Sequence, residues 1–542
     1  MLPIFRYRLA ETFKAPWKRR EDPREALRRS WGKDVVRDRY SFQITRYHDL
    51  VVAGRTVVDD ATWQDLGMGE VFEKIDRTST FPGRQVLYHQ LKTYERDEAV
   101  LGERARQQAV FQSDTGLREE AQMSLAGLDS SDAAWLAPML MNELPARPKW
   151  AWVFHLSGLV PLVCFVGMVL RPMLLIPGVL TALVNLIVNE TYGRRITPHF
   201  AGLSQIQRLL CVAEGLSALP DAQRLPQLEV LRQTAPARTH LRKRLGWLAV
   251  DRESLGEIVL SMITYANLFF LVDIQVFLGS LASLRRHQAD LVNMLEAVGT
   301  LDAAISVASF RESLSLVCTP TLAVDRRLEV AGLYHPLLAE PVGNSILCDG
   351  RSVLITGSNM AGKTTFIRTV GINVILAQTL NLCAAERAML PRMTVRSSIR
   401  REDRLAQGDS YYGVELERIH QMIKDAEEEG SHLFLIDEIF RGTNTLERIS
   451  AATAVLHHLG RAHLTMVTTH DLELQELLSD SYDMYHFSEQ IVDGRPGFDY
   501  RIQAGPTTGR NAIHLLELRG YPESITREAR RMADRLTSQS KR

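Results

Sequence analysis

The chain has 542 residues, enough for several domains, and 45% of them are hydrophobic, as sizeable globular cores require. Its 64 basic and 64 acidic residues balance, so net charge selects no polyanionic or polycationic partner. The five cysteines, Cys164, Cys211, Cys318, Cys348 and Cys383, are scattered without metal-ligand spacing, which excludes a zinc-knuckle framework and points to free thiols in a reducing compartment.

Residues 1–55 form a polar segment in which basic residues (Arg6, Arg8, Lys14, Lys18, Arg19, Arg20, Arg24, Arg28, Arg29) outnumber acidic ones. No apolar run follows that would make a signal peptide. A basic arm of this kind suits nucleic acid or anionic lipid; a solvated amphipathic segment suits it equally. From 56 to 125 the pattern turns helical, through Val57 to Thr62, Val71 to Thr80, and Val86, Leu87 and Leu91 after Gly83.

Residues 151–188 differ from everything around them. Ala151 to Leu170 is about one membrane span of mostly apolar residues, Arg171-Pro172 interrupts it, and Met173 to Val188 is a second run weakened by Asn185. Arg147 and Lys149 precede the pair, and Arg194 and Arg195 follow it, so both outer ends are basic. Trp150, Trp152 and Tyr192 sit where an interfacial aromatic belt would lie. The expectation is a transmembrane hairpin with both ends on the cytoplasmic side; the alternative is a hairpin buried in a soluble core. Residues 200–315 read as long helices, with Ile258 to Leu281 a buried one. A helical core over 56–315 with the hairpin inserted follows, and the remainder, 316–542, changes character. Strand and turn signals take over beyond Pro320.

Val353 to Ile355 reads as a buried strand, followed by Gly357-x-x-x-x-Gly362-Lys363-Thr364 and a helical pattern. This is the strand–loop–helix setting of a P-loop, in which backbone N–H groups and the helix N-terminus face phosphate oxygens. Gly357, Ser358, Asn359, Met360, Ala361, Gly362, Lys363, Thr364 and Thr365 would line the nucleotide phosphates, with Lys363 on the β- and γ-phosphates and the Thr364 hydroxyl on Mg²⁺. Gly408 to Arg418 opens with Asp409-Ser410, and a serine at a helix start can donate to phosphate. Leu433 to Ile436 is an apolar strand ending in Asp437-Glu438, expected beside the P-loop strand. Asp437 would hold Mg²⁺ and Glu438 would polarise the attacking water as general base. Met466 to Thr469 is another buried strand, ending at His470, which could sense the γ-phosphate or position the water. An ATPase with a cytoplasmic catalytic domain is the simple expectation, anchored in the inner (plasma) membrane if the hairpin spans it.

Together these residues resemble the MutS family of mismatch-repair ATPases, relatives of the ABC ATPases. Thr356 to Thr365 resembles the family's TGPNMAGKST pattern with Ser358 in place of proline, Asp437 to Thr445 its DEIGRGTST pattern, and Thr468-Thr469-His470 its histidine switch. Gly408 to Glu415 is similar to the signature segment whose serine, here Ser410, faces the γ-phosphate bound by the other subunit; Tyr411 replaces the usual threonine. Gly505-Pro506-Thr507 and Gly520 to Ala529 look like its GPT and helix-turn-helix ending, and Ile75 to Thr78 with Gly83, and Leu301 to Ser306, resemble its core. The resemblance implies an α/β P-loop NTPase domain of ABC/MutS type behind a mainly α-helical core and lever domain. It also implies ATP and Mg²⁺ as ligands, a homodimer with composite sites, and DNA as partner. The departures count as much. No mismatch-reading domain is visible before residue 56, and the apolar hairpin stands where lever helices and a DNA clamp would be expected. Weak mismatch discrimination follows, and two readings stay open: a DNA-binding ATPase of this family at the membrane, or a membrane-anchored mechanochemical ATPase acting on a protein or lipid partner.

Overall fold

The computed structural model describes residues 22–35, 43–220, 223–245, 269–357, 361–399, 411–440, 444–492, 495–507 and 520–540. Its first part is helical and is built around the helix Gln288–Ser313, which is buried along most of its length. That helix packs against Phe81–Lys92 and Glu98–Ser113. Two stretches far apart in sequence, each singled out above, meet here. The Asp302 carboxylate accepts from the backbone N–H of Ser79 (2.8 Å) and of Thr80 (2.7 Å) and from the Thr80 hydroxyl (2.7 Å). Thr80 in turn caps the helix Phe81–Lys92 by accepting from the Gly83 N–H at 2.9 Å. A Cβ on Gly83 would lie 2.1 Å from Asp302 Oδ2, so only glycine lets the two helices close this far. Ser306 Oγ donates to the Ile75 carbonyl and accepts from the Arg77 N–H, both at 2.7 Å. Burial raises the Asp302 carboxyl to about 7, although the Ser79 and Thr80 donors oppose the shift.

The apolar pair forms two helices, Trp152–Gly167 and Leu175–Val188, packed on each other. Among the described residues, two helices are long and apolar enough to cross a membrane by length and composition, Pro172–Thr191 and Gln288–Ser313; the second is 78% buried in the core, the first 17%. The hairpin does have a polar side, and it faces inward. Asn185 is fully buried and donates to the carbonyls of Ser157 (2.9 Å) and Phe269 (2.7 Å). Gln275 donates to Phe154 O at 3.1 Å and Phe270 O at 2.7 Å. The outer side is apolar and exposed at Trp152, Leu156, Leu159, Val163, Val166, Ile176, Leu180 and Ile187. Of the expected helix Ile258 to Leu281, residues 258–268 lie outside the described residues; Val272–Arg286 is a helix that begins after Leu271, whose φ is 54°.

The second part holds two sheets. Strands β1 (Thr321–Ala323), β2 (Arg327–Leu333), β3 (Asn344–Asp349) and β5 (Arg387–Pro391) form one, in the order β1-β5-β2-β3. The other runs β10-β9-β4-β8-β7-β6, from β4 (Ser352–Thr356), β6 (Thr394–Ser398), β7 (His432–Asp437), β8 (Leu464–Thr469), β9 (Tyr482–Val492) and β10 (Arg495–Ala504). All its pairings are parallel except β9 with β10. Parallel strands covered on both faces read as unbroken apolar runs, which is why β4 and β8 are buried at every position. One expectation is corrected: the acidic strand β7 does not neighbour β4. The strand β8 lies between them, pairing Leu354 with Val467 on one side and Ile436 with Val467 on the other. Helical crossovers, not sequence proximity, set strand order in such a sheet.

The helix Lys363–Leu380 links the two parts. Its Gly371 fits between Leu435 of β7 and Leu66, and a Cβ there would come within 2.6 Å of the former and 3.0 Å of the latter. The carbonyls at its C-terminal end lack partners of their own in the helix. Those of Gln378 and Leu380 accept from the Glu95 N–H at 2.9 Å and the Gln108 amide at 3.0 Å, and that of Thr379 from Arg104.

Candidate functional site at the C-terminal edge of the parallel sheet

Open parallel sheets bind ligands beyond the carboxyl ends of their strands. The ends of β4, β7 and β8 bring together Lys363, Thr364, Asp437, Glu438 and His470. The loop after β4 starts at Gly357 (φ 138°), where a Cβ would lie 2.7 Å from Phe487 O, and ends at Gly362 (φ 100°), the residue before the helix. Both positions use backbone that side-chain-bearing residues rarely adopt. Ala361 is buried and Thr365 sits exposed in the first turn of the helix. Ser358, Asn359 and Met360 lie outside the described residues, as do Ser410 and residues 441–443.

Lys363 is 2% exposed, and its ammonium donates to the Gly357 carbonyl at 2.6 Å with His470 Nε2 3.4 Å away. A buried cation folded back on its own loop is positioned to meet an anion entering that loop. The Thr364 hydroxyl donates to Asp437 Oδ2 at 2.9 Å, and Thr468 donates to the other Asp437 oxygen. A hydroxyl beside a carboxylate is an all-oxygen donor set that suits Mg²⁺. Glu438, 7% exposed, sits in left-handed backbone (φ 60°), held by its own N–H donating to Thr468 O at 3.0 Å. Its carboxylate reaches His470 Nε2 at 2.8 Å. Non-glycine residues in that region of backbone space carry a cost that the surroundings must offset, and such residues gather at functional sites.

Three groups escaped the sequence reading. Arg448, on the helix Thr445–Ala462, forms a two-pronged ion pair with Asp471 at 2.6 Å and 3.0 Å, fixing the segment that carries His470; the Asp471 contact raises the Arg448 guanidinium above its ordinary value. Thr468, read as a strand residue and within the histidine-switch pattern but given no contact there, holds Asp437 from β8. Third, Asp59, at the N-cap of the helix Asp60–Asp65, takes Arg418 at 2.9 Å and Arg396 at 3.3 Å, while the Asp65 carboxylate accepts from Ser397 Oγ at 2.7 Å and the Ile399 N–H at 2.9 Å. Burial pushes the Asp59 carboxyl up, but Arg418, the Thr62 donors and Arg396 outweigh it and hold it below the usual carboxylate value. Arg418 belongs to the helix Tyr411–Glu427, directly after Ser410. The only signal that could have flagged Asp59 is its fit as an N-cap.

Against known proteins, the family described as MutS domain V matches residues 353–537. DNA mismatch repair protein MutS of Streptococcus sanguinis is 30% identical over 273 residues, 47% of this chain and 32% of that protein. The MutS protein of Geobacillus kaustophilus is 28% identical over 272 residues, 48% and 30% of the two chains, and that of Thermus aquaticus 33% identical over 210 residues, 38% and 26%. The match thus spans between about a quarter and a third of the length of these relatives. The domain match, covering the strand ends that carry Lys363, Asp437, Glu438 and His470, and the relatives' identity over about half the chain together support the MutS family.

Proposed function

We propose that the chain is an ATP-dependent DNA-binding ATPase of the MutS family that hydrolyses ATP to ADP and phosphate in a dimer with composite sites. The observation that carries this reading is the convergence of a buried lysine, a hydroxyl–carboxylate pair and a glutamate–histidine pair at one sheet edge. Lys363 and the loop from Gly357 to Thr365 bind the phosphates, and Thr364 and Asp437 would hold Mg²⁺, which offsets phosphate charge when bound. Glu438 takes the proton of the attacking water at a carboxylate oxygen, while His470, anchored through Asp471 and Arg448, keeps that carboxylate aimed. Ser410 completes the partner subunit's site.

A second reading, a membrane-anchored mechanochemical ATPase acting on a protein or lipid partner, is favoured by the outward apolar side of the hairpin. Residues such as Val166 (68% exposed) and Ile176 (69%) stand in solvent-facing positions that water disfavours. Binding of the full chain to homoduplex, mismatched and branched DNA at several salt concentrations separates the two. Binding to any of them, stimulated by ATP, supports the first; no binding at low salt by an active ATPase overturns it.

A further inference from the structure

We infer that Cys318 and Cys383 form a reversible thiol–disulfide site, in which Cys318 is the thiol attacked by hydroperoxides and Cys383 the resolving thiol. The two are scattered in sequence but adjacent in the fold. They face each other as an isolated antiparallel pair and exchange both backbone hydrogen bonds, each N–H donating to the other's carbonyl at 3.0 Å. Directly opposed residues of this kind have Cα atoms about 5.5 Å apart, inside the window of about 4.4–6.8 Å that a disulfide needs. Side chains of directly opposed residues share one face of the pair, and the Cys383 thiol donates to Asn373 Oδ1 at 3.4 Å.

The surroundings divide the two roles. Cys318 is half-buried, so a small oxidant can reach it, whereas Cys383 is fully buried. Arg311 lies close enough for its charge to act on Cys318, and its Nε and Nη1 are buried without a hydrogen-bond partner among the described residues. A cation lacking an anion beside a thiol favours the thiolate. The adjoining Cys383 thiol holds the Cys318 thiol below its ordinary value against the effect of burial, with Arg311 and the Ala388 amide adding to it. The adjoining Cys318 thiol and burial push Cys383 up, so at rest it holds its proton and Cys318 is the sulfur that meets the oxidant first; that proton leaves with the sulfenic hydroxyl when Cys383 attacks. Cys211, exposed, and Cys164 and Cys348, buried, have no such pairing.

The chemistry balances. The Cys318 thiolate attacks one oxygen of hydrogen peroxide, the O–O bond breaks, and hydroxide leaves with a sulfenic acid formed. Cys383 attacks that sulfur, the S–S bond forms, and water leaves, so two thiols and one peroxide give a disulfide and two waters. The new bond would join the segment after Gln288–Ser313 to the segment that follows Lys363–Leu380, tightening the junction between the two parts. The site stands whether or not the chain hydrolyses ATP.

The full-length protein, treated with dilute hydrogen peroxide under native conditions, is digested without reduction and mapped by mass spectrometry. A Cys318–Cys383 peptide that dithiothreitol removes is expected; its absence overturns the proposal. In Cys383→Ser, dimedone should trap a sulfenic acid on Cys318, and failure to trap it there in folded protein contradicts the assignment of roles. Arg311→Gln should slow alkylation of Cys318 by iodoacetamide about tenfold at neutral pH, the effect of about one pKa unit, with Cys211 unchanged as internal reference. An unchanged Cys318 rate removes Arg311 from the site.

Discussion

Glu438→Gln is the substitution that isolates the proposed chemistry from binding. Gln has the size of Glu and tolerates the same left-handed backbone at φ 60° no worse, so the turn after β7 persists. Its amide retains a hydrogen bond to His470 Nε2, now 2.8 Å from the carboxylate, so the histidine keeps its place. What disappears is the proton acceptor. Loss of a general base costs roughly 10²–10⁴-fold in turnover, about 3–5 kcal/mol on the barrier. Lys363 keeps its 2.6 Å bond to the Gly357 carbonyl, which does not involve Glu438, so ATP affinity should hold within a few-fold. Lys363→Ala has the opposite profile, with phosphate binding itself lost. Steady-state phosphate release and equilibrium binding of labelled ATP, measured on both variants, make the comparison. Turnover near wild type in Glu438→Gln, or a loss of ATP binding as deep as in Lys363→Ala, refutes the assignment of Glu438 as base.

Gly83→Ala should unfold the helical core early, by about 1–3 kcal/mol or more in urea titration, because its Cβ would stand 2.1 Å from Asp302 Oδ2. Asp302→Asn should abolish one component of the pH dependence of stability: with the folded carboxyl raised to about 7, the native state holds a proton that the unfolded chain gives up above about 4, so wild-type stability falls across that interval by up to ~1.4 kcal/mol per pH unit and levels above it. Urea midpoints at pH 5 and 8 that shift alike in both proteins contradict that. Mixing Ser410→Ala with Lys363→Ala chains should restore about one working site per heterodimer on the composite-site reading; full turnover by a strict monomer excludes it. Removal of 151–188 should move the protein from the membrane to the soluble fraction with ATPase activity retained, and a full-length chain that stays soluble without detergent defeats the membrane reading.

The site was legible because its signals are local. A glycine-framed loop before a lysine, an acidic strand end and a strand ending before a histidine each occupy a few consecutive residues, and the sheet brings them to one edge. What sequence left hidden is what depends on crossovers and on distant pairs. That β8 intervenes between β4 and β7 follows from how the helices return the chain across the sheet, and no short segment encodes it. Arg418 and Asp59 are 359 residues apart, and Arg448 and Asp471 sit on different elements, so neither pair has a local pattern to betray it. The inward polar side of the hairpin escaped for a related reason. Asn185 read as a weakness in an apolar run, yet it is the residue that ties the hairpin to Phe269.

The same distant pairs determine what a change at the loop from Gly357 to Thr365 would move. The helix Lys363–Leu380 begins at the loop and ends on the helical core, where Glu95, Arg104 and Gln108 satisfy its last carbonyls. The edge strand β6 is fastened to the core a second time, through Ser397 and Ile399 on Asp65 and through Arg396 on Asp59. Asp59 also takes Arg418 from the helix that follows Ser410. On the proposed reading, a shift of that helix when Ser410 meets the partner's nucleotide pulls on Asp59, while a shift of Lys363 pushes on the Glu95–Gln108 stretch. The second route ends on Glu98–Ser113, which packs against Gln288–Ser313, the buried centre of the core; the first ends on Asp60–Asp65, which reaches that helix through Met68–Ile75. Ionic and hydrogen-bonded contacts of this kind have discrete arrangements, whereas close-packed apolar contacts such as Gly371 against Leu66 resist sliding. On the proposed reading, nucleotide-driven motion should therefore rearrange the polar Asp59 and Asp65 contacts first and carry the helical core along through the apolar ones.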